Sequence, residues 1–139
     1  MTTAPYTSAH VHHRKANMTL AAQIVVALVA LLHIYFMVLE MFLWTKPAGL
    51  KAFGQKREQA EATKVLAANQ GLYNGFLAAG LIWGLWLGMP GQHIQIFFLG
   101  CVIVAGVFGA VTASRKILYI QAMPAAIGMV LVCLSQQPR

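Results

Sequence analysis

The stretch LAAQIVVALVALLHIYFMVLEMFLW, residues 20–44, decides the fold. One charged side chain, Glu40, interrupts it, and a helix of this length at 1.5 Å per residue exceeds the roughly 30 Å hydrocarbon core of a bilayer. It therefore reads as a membrane-spanning helix with room to tilt. Asn17 and Thr19 precede it as caps, and Pro47 and Gly49 follow it as a stop. A cleavable signal would have a shorter apolar stretch ending at small residues, whereas this one ends in aromatic and basic residues, so the span is expected to be retained.

Three more apolar runs follow, at about 64–87, 93–113 and 116–134. Gly88, Pro90 and Gly91 make the second connection a tight turn, and Ser114, Arg115 and Lys116 make the third equally short. The expected fold is all-α, a four-transmembrane-helix bundle forming one domain over residues 18–135. A polar tail, residues 1–17, has no apolar periodicity and is expected to be disordered. His10, His12 and His13 in that tail have no fourth ligand and read as incidental, so no metal site is expected.

Composition agrees. With 59% hydrophobic and 9% charged residues, the 139-residue chain is excluded from the soluble globules, which carry roughly 25% charged residues. Disorder of the whole chain is excluded by the same hydrophobicity. A net charge of +7 would suggest nucleic acid in a soluble protein. Here the basic residues cap apolar runs, where anionic headgroups lie, so the expected partner is the lipid bilayer and not nucleic acid.

The one long loop, Lys46 to about Thr63, has a charge pattern that predicts an interfacial helix from about Arg57 running into the second span. Lys46, Lys51, Lys56 and Arg57 share its side with Arg115 and Lys116, against Arg14, Lys15 and Arg139 on the other. Six against three predicts a cytoplasmic loop with both termini outside. Cys101 and Cys133 lie inside the third and fourth spans and read as small apolar fillers. No phosphate loop, zinc pattern or nucleophile elbow is present.

Polar residues inside spans carry the functional signal, because charged or strongly polar groups at that depth face protein or water. The first span holds His33 and Glu40, on one face and about 10 Å apart along the axis. The second holds Asn69, Gln70, Tyr73 and Asn74, with Gly71 and Gly75 opposite as a close-approach face that Ala105, Gly109 and Ala113 repeat on the third. The fourth opens with Arg115, Lys116, Tyr119 and Gln121, then Pro124, which frees the carbonyl of Ile120. Counted inward from the loop side, Glu40, Asn69 and Tyr119 share a layer about 6 to 8 Å deep, and His33 and Asn74 a second about 15 Å deep. The outer half offers almost nothing comparable. A polar pocket open to the cytoplasm follows, with Glu40 expected to pair with Arg115, Lys116 or Lys64, and the Arg115 fork favoured.

The runs HIYFMVLEMFLW (33–44), EATKVLAANQGLYNGFLAAG (61–80) and SRKILYIQAMP (114–124) resemble the bacterial membrane family known as domain of unknown function 1304, over about residues 20–134. More distantly, the chain resembles the membrane-associated proteins of eicosanoid and glutathione metabolism in size, in an asparagine early in the second span and in the Arg115-to-Tyr119 spacing. That resemblance implies a trimer with sites between subunits, in which Asn69, Arg115 and Tyr119 bind glutathione or another thiol. This chain has Ala67, Ala68 and Leu72 where that group often has charged residues.

Three functions follow. The first is a protein, with glutathione-transferase-like catalysis as one form, that binds a small amphiphilic ligand through His33, Glu40, Asn69, Gln70, Tyr73, Asn74, Arg115, Tyr119 and Gln121. If it is catalytic, Arg115 holds an anionic head, Tyr119 donates a hydrogen bond and Glu40 serves as base or orienter. The second is an oligomeric transporter or channel using His33 and Glu40 as a relay. The third is a structural protein whose polar residues fix helix register. A homo-oligomer is expected, because the glycine faces leave room for a second subunit.

Overall fold

The structure is a computed structural model that describes residues 6–136. Helix α1 (Tyr6–Phe42) is 37 residues long and contains neither glycine nor proline. The stretch expected to be a disordered tail continues this helix from residue 6. The reason is cooperative: once the apolar span is helical, each added residue such as Ala9, Lys15 or Ala16 costs little. Residues 1–5 and Arg139, and the side chains of His10, His12 and Arg14, lie outside the described residues.

The chain turns after Phe42, and Pro47, expected as a stop, opens a short helix, α2 (Pro47–Phe53). Its ring suits the first helical turn, where the missing N–H would have had no partner. Buried Gly49 lets α2 lie directly on the backbone of Leu43 and Trp44. Gly54 closes α2 at φ 62°, the left-handed conformation open to glycine, and returns its N–H to the Leu50 carbonyl. α3 (Arg57–Trp86) begins at the residue expected from the charge pattern, with Glu58 in its first turn against the positive end of the helix dipole. A 3-10 turn (Met89–Gly91) leads into α4 (Gln92–Thr112), and α5 (Met123–Ser135) ends the fold.

Ahead of α5, residues Leu118–Ala122 form a π turn. Pro124 has no N–H for the Ile120 carbonyl, and the ladder slips to a five-residue spacing, seen where the Met123 N–H bonds the Leu118 carbonyl.

α1 packs against α3 and α5, and α4 packs against α3 and α5. Neighbours run antiparallel: Gly71 meets Met41 and Glu40 while Gly75 meets Met37, and Gly106 meets Ala122 while Gly100 meets Met129. Each seam follows a three-four spacing of buried positions. On α1 it runs Ala22, Val26, Val29, His33, with half-buried Phe36 and Glu40 continuing it; on α4 it runs Gln92, Gln95, Leu99, Val102, Gly106. On α3 it includes Ala60, Ala67, Gly71, Ala78 and Leu81, and along the π turn and α5 it runs Ala122, Ala125, Gly128 and Val132. This spacing keeps one face of each helix on the common interior, and its small residues bring the backbones close.

Large apolar side chains point outward instead: Leu28, Leu31, Phe97, Phe108, Val111 and Trp86 are all exposed. Three helical segments are long and apolar enough to cross a membrane, Lys15–Phe42, Met89–Thr112 and Leu118–Ser135, at mean hydropathies of 2.4, 2.4 and 1.8. α3 has the length but carries Asn69, Gln70 and Asn74, which lower its hydropathy. Within the chain, Gly71 and Gly75 pack against α1 and Gly109 against Ile117, whereas Ala105 and Ala113 of the expected α4 face are exposed. Cys101 and Cys133 are free thiols.

Candidate functional site

Glu40 and Asn74 are the polar pair that the α1/α3 seam brings together. The Asn74 Nδ2 donates to Glu40 Oε2 at 2.7 Å, in a half-buried position beside Gly71 and Gly75. This replaces the ion pair expected with Arg115, Lys116 or Lys64. Arg115 and Lys116 are exposed on the connector between α4 and α5, whereas Lys64 Nζ pairs with Glu61 at 3.2 Å on the surface. Phe36, one turn away from Glu40, is the α1 residue that comes near that connector. The expected depth layers also shift. α1 ends at Phe42 while α3 starts at Arg57 and overruns it, so Glu40 falls opposite Asn74 and not Asn69.

His33 is fully buried. Its Nδ1 lies 2.8 Å from the Val29 carbonyl, its ring is edge-on to Phe36, and its Nε2 has no hydrogen-bond partner among the described residues. A histidine bonded back onto its own helix through one nitrogen is held in one orientation, with the other nitrogen facing the interior.

The remaining expected ligands separate. Asn69, Gln70 and Tyr73 are exposed on the outer side of α3, and Tyr119 is 62% exposed on the π turn. Gln121 is half-buried and faces a cleft. No hydrogen bond or ion pair joins Glu40, Arg115 and Tyr119 among the described residues, so the expected catalytic trio is not assembled.

The cleft is what residue-by-residue reasoning missed. It has a volume of about 580 Å³ and lies between α1, α2 and the segment from Ala113 to Gln121. Phe36, Phe53, Ile117 and Ile120 form its apolar walls, and Lys51, Lys116, Ser114 and Gln121 supply its polar groups. Roughly 300 to 1,000 Å³, mostly apolar with a few polar groups, is the usual character of small-molecule sites. α2 creates it, and the sequence reading had no helix there. On the other side of α2 lies a second cavity of about 470 Å³, with Trp44, Phe53, Gly54 and Gln70 among its lining.

The opposite end of the molecule, expected to be apolar, is polar as well. Gln95 is buried and donates to the Gly84 carbonyl at 3.0 Å, and buried Gln92 donates to Ser135 Oγ at 3.3 Å. Both glutamines lie on the α4 seam, a signal legible in the 92, 95, 99, 102 spacing; a span started at His93 leaves out Gln92, and Gln95 within it was not among the expected polar residues. Between this end and His33 lie Val26, Val29, Ala30, Leu81, Leu99, Val102 and Ala125, an apolar plug.

An all-helical interior of small residues, a large apolar exterior and three membrane-length apolar helices define a helical membrane-type protein. The chain belongs to the family described as protein of unknown function (DUF1304), whose pattern matches residues 27–133. It is 32% identical over 106 residues to "Uncharacterized protein YpaA" of Lactococcus lactis subsp. lactis (strain IL1403), covering 75% of this chain and 89% of that one. No solved structure matches the chain. Neither match extends to the eicosanoid and glutathione group, and Asn69, Arg115 and Tyr119, which that likeness would assign to a thiol, are exposed on three separate elements.

Proposed function

We propose that this chain is a multi-pass membrane protein, with all four long helices crossing the bilayer, that binds a small anionic amphiphile in the cleft beneath α2. The observation that carries the reading is the cleft's two-part lining. Phe36, Phe53, Ile117 and Ile120 suit an acyl or other apolar chain, and Lys51 with Lys116 suits a phosphate or carboxylate head at the membrane boundary. Glu40, hydrogen-bonded to Asn74 outside the cleft, serves helix register in this reading.

The six-to-three asymmetry of basic residues turns the cleft toward the cytoplasm and both termini outward, in the inner membrane. Asn69 and Tyr73, outward on α3, favour contact with a second copy over contact with lipid, and mass measurement in nanodiscs reads that association directly. A proton or solute pathway along the bundle is the competing reading, and the apolar plug between His33 and Gln95 opposes it.

Titration of the purified protein with a fluorescent lysophosphatidic acid and with a neutral monoacylglycerol of equal chain length tests the assignment. Lys51→Gln with Lys116→Gln should weaken the anionic probe about tenfold or more and spare the neutral one, while Phe36→Ala should weaken both. Equal binding of the anionic probe before and after the lysine changes would refute the site.

A further inference from the structure

The cavity on the α3 side of α2 is chemically unlike the lysine cleft. Its volume is about 470 Å³, and Trp44, Phe53, Gly54, Gln55, Gln59, Thr63, Leu66, Ala67 and Gln70 line it. No charged side chain is among them. Three carboxamides and one hydroxyl surround an aromatic wall instead.

That wall is fixed. The Trp44 indole N–H donates to Thr63 Oγ1 at 3.2 Å, and Thr63 in turn donates to the Gln59 carbonyl at 2.8 Å. Phe53 packs on Trp44 with ring centroids 4.8 Å apart and planes 53° from parallel. The indole is therefore held by both its polar edge and its neighbour. Gln55, one of the lining residues, carries a buried Nε2 that has no hydrogen-bond partner among the described residues. A buried amide N–H without an acceptor is costly, and a ligand oxygen that the Gln55 side chain turns to meet recovers that cost.

We propose that this second cavity binds a neutral sugar ring. The face of a sugar ring is a sheet of C–H bonds with partial positive charge, which complements the negative face of a held indole. Its hydroxyls both donate and accept, as do carboxamides, so Gln55, Gln59 and Gln70 can meet several hydroxyls without a charged partner. A phosphate or carboxylate finds no cation here and is served by Lys51 and Lys116 on the far side of α2. The ring can arrive as a free sugar or as the headgroup of a glycolipid, since the cavity lies where α3 leaves the apolar bundle. The assignment stands on residues outside the lysine cleft apart from the shared Phe53 and Gly54, and does not depend on that cleft's ligand.

The test uses the full chain with Trp83→Phe and Trp86→Phe, which leaves Trp44 as the sole indole. In phosphatidylcholine nanodiscs, its emission is followed against methyl β-glucoside in solution and against monoglucosyl diacylglycerol in the bilayer, with plain diacylglycerol as control. A saturable change with at least one glucoside is expected: with both, the sugar alone suffices; with the lipid only, the ligand is a headgroup. Gln55→Leu should weaken it about tenfold, Gln59→Leu should weaken it independently, and Lys51→Gln with Lys116→Gln should leave it unchanged. No saturable change with either glucoside, an equal change with plain diacylglycerol, or full binding by both folded glutamine variants would overturn the proposal. Loss of binding in the lysine variant would overturn the separateness of the two sites.

Discussion

Asn74 shows how far single residues could be read ahead of structure. Four polar residues crowd positions 69–74, and only Asn74 lies on the α3 seam, seven residues from both buried Ala67 and buried Leu81. That spacing is in the sequence. What turns it into a contact is the register between α1 and α3, set by where α1 stops and how α2 lies, and no local rule supplies that. The pairing of Glu40 with an amide in place of a guanidinium sets the order of mutational cost. Asn74→Ala should lower stability by about 1 kcal/mol, since it strips the half-buried carboxylate of its donor. Glu40→Gln should cost less, because an amide oxygen still accepts from Asn74. Arg115→Ala should change stability by less than about 0.5 kcal/mol, its side chain being exposed. Thermal melts of the three variants in one detergent give the order, and a larger loss for Arg115→Ala would mean that the connector holds a partner not seen here.

At the scale of elements, hydropathy located the ends of the long helices to within a few residues; α1 and α3 start well before their apolar runs, and the last run covers the π turn as well as α5. Neither α2 nor the π turn was legible. α2 is seven residues long, too short for a periodic signal, and its Pro47 and Gly49 look like a helix stop when they are in fact a first-turn proline and a close-packing glycine. The π turn follows from Pro124, whose missing donor was recognised, although a freed carbonyl can be met by a kink, a side chain or a register slip and the sequence does not choose. Pro124→Ala restores the donor and should let Leu118–Ala122 relax to an ordinary α turn. Removing one residue from the helical path rotates everything N-terminal to it by about 100°, and that would carry Ile117 and Lys116 out of the cleft. The yield of cross-linking Phe36→Cys to Ile117→Cys with a short bifunctional maleimide should then fall in the Pro124→Ala background; equal yields would show that the π turn is not held by proline.

For the whole molecule, orientation is the sharpest expectation. With Cys101 and Cys133 replaced by alanine, a cysteine at exposed Ala48 should react with an impermeant maleimide only after the cells are opened. A cysteine at His13 should react in intact cells. Labelling of the loop from outside would invert the assignment and turn the cleft outward.

The small side chains along the seams also decide which mutations this protein can survive. A soluble core is harmed mainly by losing atoms; here the interior has few to lose, because Ala22, Ala30, Ala60, Ala67, Ala78, Ala122 and Ala125 are already near the minimum, and Leu81 and Leu99 are the largest fully buried side chains. Damage must come from growth. A Cβ on Gly106 would press on the backbone of Ala122, so Gly106→Val should cost about 1 to 3 kcal/mol, while shortening Val111, Phe97 or Leu28 on the exterior should cost little. Saturation mutagenesis scored by surviving protein should therefore show tolerance falling with added volume inside and nearly flat with lost volume outside, the mirror image of a water-soluble fold. Leu81 and Leu99 should be the exceptions, two interior positions where truncation is as harmful as enlargement.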